Sequence, residues 1–118
     1  KLSQTESQNI SQKINNISVI VKTYENKTMN YINKIANKIS ERDDMVALFA
    51  LTNNDKLNLL FACSKNLEQL DMNNLLKDSI KLVDGKGGGS KVLAQGGGKN
   101  NGNLDSLFDY VKMKLKSN

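Results

Sequence analysis

Two apolar runs, "MVALFAL" at 45–51 and "LNLLFAC" at 57–63, are separated only by the polar stretch "TNNDK". Each has the length of a strand and neither alternates with polar residues, so each must bury both of its faces. The connection between them has hairpin length. A hairpin buried on two sides needs helices above and below it, and that requirement constrains every other segment.

The flanks supply those helices. "NISVIVKTYE" is β-branched and predicts a strand over about 17–24. "NKTMNYINKIANKIS" sets Met29, Ile32, Ala36 and Ile39 on one helical face, with Asn26 or Thr28 as the cap. "DMNNLLKDSIKLV" does the same with Met72, Leu75, Leu76, Ile80 and Val83. Asp71 is its expected N-cap, Leu70 and Leu75 an expected hydrophobic staple, and Gly85 its expected stop. "NLDSLFDYVKMKL" presents Leu104, Leu107, Phe108, Val111 and Leu115 behind Asn103. Ile10, Ile14 and Ile17, spaced by four and three, predict that residues 1–16 end a helix arriving from upstream. The expected fold is α/β: a small mixed sheet with its central hairpin covered by helices, in the order β-α-β-β-α-glycine loop-α.

The glycine loop is the second constraint. All eight glycines lie between positions 85 and 102, most of them in "GKGGGSKVLAQGGGK", and the chain has no proline. Glycine costs backbone entropy on folding, so two triplets need a reason. Amphipathic helices flank the stretch on both sides, which predicts a structured internal loop rather than a spacer.

Charge and composition then narrow the chemistry. The net charge is +5, with six Lys against two Glu over 1–40 and eight Lys against four Asp over 72–118. Residues 41–71 are acidic, and this unevenness suits a polyanionic partner. With no histidine and one cysteine there is no imidazole base and no zinc site, so the chain itself is not expected to be an enzyme. Cys63 lies in an apolar run and reads as core, which fits a reducing, cytoplasmic setting. The longest apolar run is far too short to span a membrane. A polar start without an initiator methionine predicts a piece of a longer protein.

Nucleotide motifs fail on inspection. Gly98-Lys99 is followed by Asn100 where a P-loop needs Ser or Thr, and Ser90 stands where a dinucleotide fingerprint needs its third glycine. An anion-binding loop remains: bare backbone N–H groups, with Lys86, Lys91 and Lys99 alongside and no acid between 85 and 102. Gln95 and Asn100 add neutral donors and acceptors, and the N-terminus of the last helix near Leu104 adds favourable partial charge.

Two glycine triplets joined by a segment ending in Ala94-Gln95 resemble the signature of the DHH-associated domain. That domain closes alanyl-tRNA synthetases, free-standing alanyl-tRNA editing proteins and DHH phosphoesterases. The resemblance spans 17–118, including "MNNLLKDSIKLVDGKGGG" and "NLDSLFDYV". Ser90 stands where the phosphoesterases commonly carry histidine, and Ser90-Lys91-Val92 where the synthetases usually carry Arg-Pro-Asp. Serine there looks more like the editing proteins.

The resemblance implies a C-terminal domain over 17–118 that holds alanine-accepting tRNA, in the parent chain of an editing hydrolase or a ligase. Residues 1–16 would end a helical linker or dimerisation helix, with Ile10, Ile14 and Ile17 at a homodimer interface. No cofactor is implied here, and zinc belongs to the upstream domain that would hydrolyse mischarged tRNA. The expected nucleic-acid contacts are Lys86, Gly87, Gly88, Gly89, Ser90, Lys91, Gln95, Gly96, Gly97, Gly98 and Lys99. Alternatives are the substrate-binding domain of a DHH-type phosphoesterase or exonuclease, and a pure dimerisation module.

Overall fold

A computed structural model describes residues 9–14, 17–25, 27–67, 70–100 and 102–117. The chain runs β1 (Asn9–Ile14), β2 (Ile17–Glu25), α1 (Met29–Ser40), β3 (Met45–Asn53), β4 (Lys56–Cys63) and α2 (Met72–Ser79). A 3-10 turn (Ile80–Val83), β5 (Lys86–Gly89), β6 (Leu93–Lys99) and α3 (Leu104–Ser117) follow. The six strands among the described residues form one sheet in the order β1-β2-β3-β4-β6-β5. Only β2 and β3 pair in parallel, because α1 carries the chain back between them.

Alternation along the central strands divides the core between the two faces. Val46, Leu48 and Ala50 of β3, with Leu59 and Phe61 of β4, pack under α2, the 3-10 turn and α3. Ala47, Phe49 and Leu51, with Leu60 and Ala62, pack under Ile32, Ala36 and Ile39 of α1. The apolar runs are thus buried on both sides, as their lack of alternation requires. Thr28 caps α1, its side chain accepting the Tyr31 N–H at 3.2 Å. Asp71 caps α2 by accepting the Asn74 N–H, also at 3.2 Å. Asn26, the other candidate cap of α1, lies outside the described residues.

Three expectations need correction. Asn9–Ile14 is a strand paired antiparallel with β2, with Ile10 opposite Val21 and Ile14 opposite Ile17. A spacing of four suits a helix and equally one face of a strand, and the free edge of β2 decides between them. Ile17 is buried in the chain's own core and is no surface for a second copy. The side chains of Ile10 and Ile14 lie outside the described residues. Next, the glycine loop is a pair of strands. Lastly, the 3-10 turn ends at Asp84, in the left-handed region with φ 52°, rather than at Gly85. Gly85 follows it and donates its N–H to the Ile80 carbonyl at 3.0 Å.

Candidate nucleic-acid interface

Glycine is a poor strand former, yet "KGGG" and "LAQGGGK" are both strands. The reason is steric. A Cβ on Gly87 would sit 2.5 Å from the Gly96 Cα, one on Gly89 2.4 Å from the Leu93 oxygen, and one on Gly96 2.6 Å from the Lys86 oxygen. Gly85 and Gly98 are as crowded, at 2.3 Å from the Gly97 oxygen and 2.7 Å from Val83. Backbone packs on backbone here, so five of the glycines answer to the fold itself. Gly88 and Gly97 do not. Their nearest neighbours are side-chain oxygens, Asn73 Oδ1 at 3.1 Å and Asn58 Oδ1 at 3.2 Å.

Those two glycines have different surroundings. Gly88 lies against Asn73 and Lys77 of α2, and Asn73 Oδ1 also accepts the neighbouring Gly89 N–H at 3.1 Å. Gly97 faces the α1 side of the sheet, where α1 packs on β3 and β4 and leaves the Gly97 end of β6 open. On that face the register sets Asn58 opposite Gly97 and Lys56 opposite Lys99, while Lys86 is the backbone partner of Gly97 on β5. Lys56, Lys86, Gln95 and Lys99 are all exposed. Lys56 and Lys99 are direct cross-strand neighbours, a like-charge pair that costs stability unless an anion lies over it. Asn100 holds this end in place: its backbone N–H donates to the Asp55 carbonyl and its side chain to the Asn54 carbonyl. Beside it, Glu25, Thr52, Asn54 and Asn100 line a hollow of about 300 Å³.

The remaining expected residues serve the other end of the ribbon. Ser90 Oγ accepts the Leu93 N–H at 3.2 Å and closes the β5–β6 turn. The Lys91 carbonyl accepts the Met72 N–H at 2.9 Å, so this turn is stitched to the start of α2. Six residues of β6 separate the turn from Lys99, about 20 Å of strand, so Lys91 does not join Lys86 and Lys99. Asn103, just before α3, donates its side-chain N–H to the Leu82 carbonyl, and α3 packs on the opposite face. Lys56 and Asn58 are neighbours of the glycine strand that sequence reasoning missed. They sit in the acidic middle segment, and only the pairing of β4 with β6 brings them to the glycines.

Cys63 ends β4 beneath that turn, where its thiol donates to the Lys91 carbonyl at 3.5 Å. Burial, with Asp71 nearby, pushes the thiol up to about 11 although Lys91 opposes this. It is a core residue and not a nucleophile at neutral pH. Among the described residues no three His, Cys, Asp or Glu side chains gather as a metal site, and no helix is long and apolar enough to cross a membrane.

Comparison with known proteins agrees with this architecture. The chain is 36% identical over 99 residues to the alanine–tRNA ligase of Methylacidiphilum infernorum, covering 83% of this chain and 11% of the ligase. The curated ligases that it matches are far longer, and it spans 10% to 13% of their length. The C-Ala domain of Aquifex aeolicus alanyl-tRNA synthetase superposes with a TM-score of 0.85 at 21% identity, over 91% of this chain and 98% of that one. A pGpG-specific phosphodiesterase from Vibrio cholerae shares the fold more distantly, with a TM-score of 0.54 at 10% identity, over 98% of this chain and 37% of that one. The DHHA1 domain model matches residues 16–117, nearly the whole sequence, and the chain belongs to that family.

Proposed function

We propose that this domain binds tRNA through the open face around Gly97, as an accessory part of an alanine–tRNA ligase or alanyl-tRNA editing protein. Two lysines beside bare backbone carry the reading: Lys56 and Lys99 stand side by side next to Gly97, whose backbone partner on β5 is Lys86. Phosphate oxygens would neutralise the lysines, while Gly97 lets a ribose or phosphate approach the strand closely. Asn58 and Gln95 offer side-chain amides on the same face. Such a surface suits the shape and phosphates of a folded RNA more than its sequence. The matching relatives are named as ligases, which favours a ligase-type parent. Hydrolysis of mischarged tRNA, and any zinc it uses, would belong to another domain of that parent. A single buried, unpaired cysteine fits a cytoplasmic setting.

The test is a salt titration of tRNA binding. Replacing Lys56, Lys86 and Lys99 together with alanine should weaken binding to alanine-accepting tRNA and flatten log affinity against log salt by roughly 2 to 3. Lys91→Ala should change the slope by about 1 at most. Unchanged affinity and slope in the triple variant would remove this face from the binding site.

A further inference from the structure

Tyr31 is the one exposed aromatic ring among the described residues, at 44% exposure, while Tyr24, Phe49, Phe61 and Phe108 are buried. It stands in the first turn of α1, off the buried stripe of Ile32, Ala36 and Ile39. Its ring is braced from beneath. Tyr24 meets it edge-on, with centroids 5.7 Å apart at 79°, and Tyr24 meets Phe49 in turn at 5.6 Å and 87°. Its backbone N–H is held by Thr28. Lys27 Nζ lies 5.1 Å from the ring centre, so a cation already sits over one π-face.

The ring also has a position relative to the lysine face. Tyr24, Leu51, Asn58, Gly97 and Lys86 form one row across the sheet, each opposite the next. Three strand spacings separate Tyr24 from Gly97, about 14 Å. The braced ring is therefore at the α1 end of the row whose other end is the glycine surface.

We propose that Tyr31 is a stacking platform for an unpaired base of the bound RNA, with Lys27 moving from the ring to the adjoining phosphate. The proposal rests on the tRNA-binding reading and adds to it a contact of a different kind. Stacking on an aromatic ring is indifferent to base identity, and removing such a ring weakens binding by about 5- to 150-fold. A held ring loses little freedom when a base covers it, and the Tyr24–Phe49 support supplies that rigidity.

The experiment compares Tyr31→Leu, Tyr31→Phe and Tyr31→Trp for binding to alanine-accepting tRNA, with circular dichroism as the folding control. Tyr31→Leu should lose at least about 5-fold in affinity with its salt slope unchanged, since no charge is altered. Tyr31→Phe should keep wild-type affinity. The chain has no tryptophan, so Tyr31→Trp installs a single reporter whose emission should be quenched when tRNA is added. Full affinity in Tyr31→Leu, or unquenched emission from a tRNA-bound Tyr31→Trp, would overturn the platform and leave the lysine face standing. If the unsubstituted chain fails to bind tRNA, both proposals fall.

Discussion

The two halves of the sheet are held together in opposite ways. Under α1, β3 and β4 are joined to the helix by interleaved side chains: Phe49, Leu51 and Leu60 against Ile32, Ala36 and Ile39. At the β5–β6 edge the side chains are gone, and one backbone lies on another closer than a Cβ could. The first device buries much apolar area and relaxes partly when a group is removed. The second buries little but has no slack for an added atom. It also leaves one face bare, and that bare face carries the lysines. The difference shows how a small domain keeps a rigid core while leaving backbone uncovered along one strand.

The comparison breaks most visibly at the core. Phe49→Ala should cost about 3–5 kcal/mol, read as a lowered denaturation midpoint, because the α1 side depends on filled volume. A loss below 1 kcal/mol would mean that α1 contributes little. Gly96→Ala should come next, at about 1–3 kcal/mol, because its Cβ must displace the Lys86 carbonyl and Gly87. Gly97→Ala adds the same atom to the same strand and should change stability by no more than about 0.5 kcal/mol while weakening tRNA binding. Equal destabilisation of the two glycine variants would erase the distinction between glycines that backbone packing requires and one that it does not.

The smallest effect concerns Cys63, which reports whether the ribbon's turn lifts. Its thiol, raised from the ordinary 9.0 to about 11, stays protonated in the folded chain at a pH where the unfolded chain ionises. The unfolded state then binds fewer protons, so stability should fall as pH rises from about 9 towards 11. Below pH 9, alkylation by a maleimide should be slow in the folded chain and fast after denaturation. Rapid alkylation without unfolding would show that the turn at Lys91 opens by itself.

Local physics decided much of this molecule. The uninterrupted apolar runs at 45–51 and 57–63 could be satisfied only by strands covered twice, and helical periodicity located α1, α2 and α3. Thr28 and Asp71 act through hydrogen bonds three residues long, so their roles were legible in the chain. What sequence could not reveal was pairing. Ile10 and Ile14 satisfy two periodicities at once, and the open edge of β2 selects the strand. The glycine triplets have no strand preference of their own, and β4 imposes the strand on β6 by hydrogen bonding. Lys56 and Lys99 are 43 positions apart in the chain yet directly opposite in the sheet. Register is a property of the assembled sheet, because it depends on which distant backbones meet and at what offset. The glycines, the lysines and the order of elements from β2 to α2 were therefore written locally, whereas the surface that they form together existed only once the strands had paired.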